Sequence, residues 1–213
     1  MDGNTMNSLA HNLGVVILAA GRSGRMGRPK LLLPWGETSV LGHQIHIWQQ
    51  LGAGQIGVVC AASDEAIRTE LARLRFPKAH RILNPQPERG MFSSIRCATQ
   101  WTGWTAGLTH WAISLGDQPH VRLETLRTLL DFSADHSTKV CQPRALGHLR
   151  HPVILPKEIL LRLGETSAST LKEFLQTMSA DVAGCDVDDP GLELDVDTPA
   201  DYERALALPF KGQ

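Results

Sequence analysis

A chain of 213 residues that is 42% hydrophobic can bury a full core, and its length favours one domain or a compact pair of lobes. A formal net charge of -1 excludes the cationic face that non-specific binding to nucleic acid or an anionic membrane requires, so positive charge can act only locally. No apolar run approaches the ~20 residues that span a bilayer. Cys60, Cys97, Cys141 and Cys185 lie too far apart for a zinc site or a disulfide scaffold, which suits reduced thiols in a cytoplasmic protein.

Residues 1–13 lack a charged segment followed by a long apolar one and are expected to form a flexible leader to a domain of residues 14–213. The first apolar run, residues 14–18, reads as a buried strand. It empties into Gly21 to Lys30, GRSGRMGRPK, which holds four cations, three glycines and no acid. Such a loop sets backbone N–H groups and positive charge where a polyphosphate can sit. A helix over 38–50 follows, with Val40, Leu41, Ile45 and Trp48 on one side. A strand at 55–60 leads to a helix at 64–74 and a strand at 80–83. The polar, turn-rich stretch 85–90 enters a helix at 91–101. The strand at 111–115 ends in Gly116-Asp117-Gln118-Pro119, a helix covers 124–132, and short strands are expected at 139–141 and 153–155. Residues 192–197 alternate as a strand does, which places Asp195 and Asp197 on one face. Thr198 and Pro199 read as the N-cap and first residue of a last helix.

Strands alternating with helices imply an α/β fold, a single-domain Rossmann-like three-layer α/β/α arrangement with a mostly parallel sheet. Ligands of such sheets gather at the carboxyl ends of the strands. His43 and His46 share a helix face without a third ligand and read as surface residues. The loop after the first strand is not a Walker A motif, because no glycine precedes Lys30 and Leu31 replaces the hydroxyl residue. Neither is it a dinucleotide fingerprint, because its glycines fall at 21, 24 and 27 and Pro29 disfavours helix at Arg28. A wide loop remains, able to wrap a nucleoside triphosphate with glycine N–H groups, Arg25 and Lys30.

Residues 18–34, LAAGRSGRMGRPKLLLP, resemble the L-A-A-G-x-S-x-R-M-G-x-x-K loop of the MobA/MocA-like nucleotidyltransferases. NPQPERGMFSSI at 84–95, the D-Q-P strand end at Asp117, the segment His151-Pro152-Val153 and DVDTPAD at 195–201 are similar to the family's later motifs, in order, over about residues 14 to 206. The resemblance implies transfer of a nucleoside monophosphate from a nucleoside triphosphate to a small phosphorylated acceptor, with Mg2+ as cofactor and release of pyrophosphate. It implies nucleotide binding by Leu18, Ala19, Ala20, Gly21, Arg22, Ser23, Gly24, Arg25 and Lys30, with Asn84, Gly90 and Ser94 from the second motif. Lys30, Arg25 and Asp117 are the implied catalytic residues. Asp117 is the first implied metal carboxylate, and either Asp195 or Asp197 is the second. The L-A-A-G form leans toward CTP. His151 and Arg150 are implied acceptor contacts, although Arg150 stands where the family form has glycine, and residues 163–172 lack its G-D-x-G-A-R pattern. The acceptor therefore stays open between molybdopterin, as in molybdenum cofactor biosynthesis, and a sugar or polyol phosphate. A non-catalytic nucleotide sensor is the third reading. No general base is required, because a phosphate acceptor is already ionised. Neither nucleic acid nor membrane is an expected partner, and oligomeric state is not encoded in any motif.

Overall fold

The computed structural model describes residues 12–21 and 26–208. In chain order these form β1 (Leu13–Leu18), the hairpin β2 (Pro34–Trp35) and β3 (Thr38–Ser39), α1 (Val40–Gln50), β4 (Gln55–Ala61), α2 (Glu65–Arg73), β5 (Arg81–Asn84) and α3 (Met91–Gln100). They continue with β6 (His110–Leu115), α4 (Leu123–Asp135), β7 (Val140–Ala145), β8 (His148–Leu149), β9 (Val153–Pro156), α5 (Lys157–Glu165), α6 (Leu171–Gln176), β10 (Val182–Asp186) and α7 (Pro199–Leu206). The main sheet runs β10-β7-β9-β6-β1-β4-β5, with β8 paired to β7. β1 lies parallel to both β4 and β6, β4 is parallel to β5, and β10 is parallel to β7, while β9 runs antiparallel between β6 and β7. The sheet is thus mostly parallel, as its apolar runs predict, and α1, α2 and α3 supply the crossovers that parallel neighbours require.

Period-2 geometry divides the strands between two cores. Val15 and Ile17 of β1, with Ile56 and Val58 of β4, pack against Leu41 and Trp48 of α1, Leu71 of α2, Leu129 of α4 and Tyr202 of α7. Val16 and Leu18, with Val59 and Ile113, pack against Ile95 of α3, Leu163 of α5 and Phe174 of α6. Each such side chain, fully buried, contributes about 1.5–3 kcal/mol of transfer free energy. Helices therefore cover both faces, which is the expected three-layer arrangement. Among the described residues, no helix is long and apolar enough to cross a membrane.

Helix starts follow local chemistry. Ser39 caps α1 by accepting the Gly42 N–H (3.0 Å), and Asp64 caps α2 by accepting that of Ile67 (3.0 Å). At α7, Thr198 Oγ accepts the Asp201 N–H (3.2 Å) and the Asp201 carboxylate accepts the Thr198 N–H (2.9 Å), with Pro199 in the first turn as expected.

One expected strand is absent. Residues Pro190–Glu193 form a 3-10 turn, the Asp197 N–H donates to the Asp195 carbonyl (3.1 Å), and residues 192–197 belong to no strand. The turn prevails because the Asp189 carboxylate accepts the Gly191 N–H (2.9 Å) beside Pro190, local bonding that a strand cannot offer.

β1 and β6 approach closely just past their ends. The Gly116 N–H donates to the Leu18 carbonyl at 3.0 Å, and a Cβ at Gly116 would lie 2.7 Å from that oxygen. Gly116→Ala is expected to lower stability by about 1–3 kcal/mol through overpacking. Urea unfolding checks this, since a wild-type midpoint would contradict so close an approach.

Candidate active site

β1, β4, β5 and β6 are mutually parallel, so their carboxyl ends share one edge of the sheet. There the chain after β1 is held by the Ala19 N–H on the Val59 carbonyl (2.8 Å), and Ala19 and Ala20 are both buried. Gly21 ends the described part of this edge. Arg22, Ser23, Gly24 and Arg25, expected as phosphate ligands, lie outside the described residues. Past the loop, Pro29 leads into a 3-10 turn, Lys30–Leu32, whose Leu31 is buried and anchors it.

The Lys30 side chain ties three segments together. Its ammonium forms an ion pair with Asp117 at the end of β6, reaches Asp197 Oδ1 at 3.4 Å and contacts the Val196 carbonyl at 3.5 Å. Lys30 is 13% exposed, Asp117 28% and Asp197 34%, so the group is recessed yet open to a ligand. Burial by itself lowers the Lys30 pKa. Asp117, through charge and hydrogen bond, and then Asp197 outweigh that effect and raise it above the usual lysine value. Asp195 is exposed, and its charge bears on the His151 ring together with that of Asp117. Burial pushes the His151 pKa down, only partly offset by its bond to the Ile113 carbonyl (3.3 Å) and by the two carboxylates, so the ring is neutral at pH 7.

Asn84 is buried at the end of β5. Its Nδ2 donates to Ser93 Oγ (2.8 Å) and Ser94 Oγ (2.9 Å), and its Oδ1 accepts the Gln86 N–H (2.8 Å). Its amide thus fastens β5 to the start of α3. That helix starts at Gly90, whose φ of 88° suits glycine and which supplies no side-chain cap, so the first N–H groups are left for other acceptors. Gly90, Met91 and Ser94 at this helix start line a cleft of about 370 Å³, together with Leu18, Ala20, Gly21 and Asp117. An uncapped helix N-terminus is suited to anions. Met91 lines both this cleft and a second cavity of about 710 Å³, whose walls include Gln142, Arg150, His151, Lys172 and Leu175. Arg150, expected at the acceptor, meets Glu193 in a two-point ion pair, Nε to Oε1 at 3.1 Å and Nη2 to Oε2 at 2.5 Å. His43 is half-buried and His46 exposed on α1, beside a separate cavity of about 790 Å³ that holds none of the expected site residues.

Sequence reasoning misses the side chains that hold this site together. Buried Asp189 accepts the Arg122 N–H (3.0 Å) and the Thr125 hydroxyl (2.7 Å) as well as the Gly191 N–H, tying the turn at 190 to the start of α4. His120 Nε2–H donates to the Leu194 carbonyl (2.9 Å), and Gln44 Nε2 donates to the Gln118 carbonyl (2.7 Å). Asp189-Pro190 carries a turn signal, but nothing in the sequence shows what it grips.

Among the described residues, no group of three or more His, Cys, Asp and Glu is arranged to hold a metal. Asp117 and Asp197 nevertheless share one cation, the Lys30 ammonium. A pair of carboxylates around a cation is what a hard dication needs when phosphate and water complete its shell.

A family model described as the MobA-like NTP transferase domain matches residues 15–182. The chain is 24% identical over 191 residues to the molybdenum cofactor cytidylyltransferase of Escherichia coli K12, which covers 89% of this chain and 93% of that protein. It is 33% identical over 140 residues to the bifunctional protein GlmU of Pseudomonas savastanoi pv. phaseolicola, covering 65% of this chain and only 27% of GlmU, so it spans about a quarter of that relative. Among solved structures, Rv0371c from Mycobacterium tuberculosis H37Rv superposes with a TM-score of 0.73 at 28% identity, covering 92% of this chain and 99% of that one. Another structure of Rv0371c is a complex with manganese, with a TM-score of 0.66, 25% identity and the same coverage of both chains. With its mostly parallel sheet and a matched region that runs through both Lys30 and Asp117, this chain belongs to the MobA-like NTP transferase domain family.

Proposed function

We propose that this protein, through one domain of residues 14–213, moves a nucleoside monophosphate from a nucleoside triphosphate, CTP by preference, to the phosphate of an acceptor, molybdopterin in the first place, releasing pyrophosphate. The observation that carries this reading is the meeting of Lys30 with Asp117 and Asp197, Asp117 also lining the 370 Å³ cleft. The name of the Escherichia coli relative supports both the nucleotide and the acceptor, and the manganese complex of Rv0371c supports a divalent cation.

In the proposed reaction an acceptor phosphate oxygen attacks the α-phosphorus in line. The new P–O bond forms as the bond from that phosphorus to the bridging oxygen of the β-phosphate breaks, and pyrophosphate leaves with the electron pair. The acceptor is already ionised, so no base needs to take a proton. Asp117 and Asp197 fit a Mg2+ ion, because both already bear on one cation; when bound, the metal supplies charge neutralisation for phosphates that otherwise repel. Lys30 carries a full positive charge and spreads the negative charge growing on the leaving group. Arg25 is assigned to the pyrophosphate end. Ala19 and Ala20 leave the backbone open to a ribose or base, and the N-terminus of α3 offers N–H groups to phosphate. The cavity reached past Met91 takes the body of the acceptor, next to His151.

Pyrophosphate release from a panel of nucleoside triphosphates, each offered with molybdopterin or with sugar and polyol phosphates, tests the proposal. Fastest release with CTP and molybdopterin is expected. Release with a sugar or polyol phosphate alone replaces the acceptor, and nucleotide binding without release under any acceptor leaves a sensor. Lys30→Ala is expected to lower kcat by about a hundredfold or more, equivalent to about 3 kcal/mol of transition-state stabilisation, with an unchanged circular dichroism spectrum; wild-type turnover would remove Lys30 from the chemistry. Because Asp197 and not Asp195 is seen on the shared cation, Asp197→Asn should raise the Mg2+ concentration for half-maximal rate by about tenfold, and Asp195→Asn by much less. The reverse order would reassign the second metal carboxylate.

A further inference from the structure

Two segments of the site have no strand pairing of their own. Residues 150–152 connect β8 to β9 and carry His151; residues 187–197 connect β10 to α7 and carry Asp195 and Asp197. Arg150 and Glu193 bridge them. Arg150 starts from a fixed backbone, since its N–H donates to the Pro143 carbonyl (2.9 Å) and its carbonyl accepts Gln142 Nε2 (3.0 Å). Glu193 closes the 3-10 turn that Asp189 anchors from one side, and His120 holds the next residue, Leu194, by its carbonyl. Both carboxylate oxygens of Glu193 meet guanidinium donors, the fork geometry that sets direction as well as distance. The pair is half-buried, and pairs at such exposure add little to global stability. Its effect is therefore on position, two residues before Asp195 and four before Asp197.

The geometry points to Arg150 as a positioning residue: through Glu193 it fixes the carboxylate arm 193–197 against the acceptor-side loop and so sets where Asp197 stands relative to Asp117. The guanidinium is committed to Glu193 and is not a ligand of the acceptor's phosphate. The catalytic half of this assignment rests on the nucleotidyl-transfer reading; the structural half does not.

The test compares Arg150→Ala, Glu193→Ala and the exchanged pair Arg150→Glu/Glu193→Arg in the full chain, by amide hydrogen exchange and by steady-state kinetics. Each single variant is expected to quicken exchange within residues 189–197 by about fivefold or more while the sheet strands keep wild-type rates. Each should also lower kcat by a similar factor, about 5–20-fold, with the acceptor KM within about twofold, and the exchanged pair should recover much of both losses. A phosphate-binding arginine gives a different pattern: Arg150→Ala raises the acceptor KM, Glu193→Ala matches wild type, and the exchanged pair is as poor as Arg150→Ala. That pattern overturns the assignment, as does quickened exchange with unchanged kcat. If the wild type releases no pyrophosphate with any acceptor, the transfer reading fails on its own, and unchanged exchange in both single variants still overturns the bridge.

Discussion

The site depends on one balance of charge, a single ammonium shared between two carboxylates that arrive from distant parts of the chain. Asp117 at the end of β6 and Asp197 ahead of α7 carry like charges, which repel where water is partly excluded. Lys30 removes that conflict by standing between them. The sign of its pKa shift has a direct consequence. A lysine raised above 10.5 contributes its stabilisation at every pH below that value and loses it only as pH climbs through the higher folded-state value, so the cluster stays intact across the neutral range. Under the proposed nucleotidyl transfer, a metal-bound triphosphate would bring a dication for the carboxylates and anions for the ammonium, so that each group exchanges one partner for another.

The fold provides for this meeting by direction more than by contact. Parallel strands bring β1 and β6 to the same edge, and the Gly116 approach to Leu18 keeps the two ends together. The third member does not come from the sheet, because residues 188–197 belong to none of its strands. Its position is instead set by side chains: Asp189 on the start of α4, His120 on Leu194, Glu193 on Arg150 and Lys30 on Val196.

What the sequence reveals follows from burial. β1, β4 and β6 are covered on both faces and therefore read as continuous apolar runs. β10, a half-buried Val-Ala-Gly-Cys-Asp at the sheet edge, carries no such run, and Pro143 and Arg144 interrupt the signal of β7, which continues to Ala145. Lys30 and Asp117 are legible because each lies in a dense motif that a recognisable strand precedes. The choice between Asp195 and Asp197 is not, because the turn that orients them is held by partners such as His120, 74 residues from Leu194, and Arg150, 43 residues from Glu193. Pattern reading has no access to pairings at that separation. It also gives Arg150 the look of a free phosphate ligand, where the structure shows it engaged.

A crystal structure of the protein with Mg2+ and a non-hydrolysable CTP analogue tests the shared-cation account most directly. The account predicts a metal ion touching Asp117 and Asp197, with the Lys30 ammonium moved from the carboxylates onto the phosphates. A triphosphate bound elsewhere, with Lys30 still paired to Asp117 and Asp197, would contradict it.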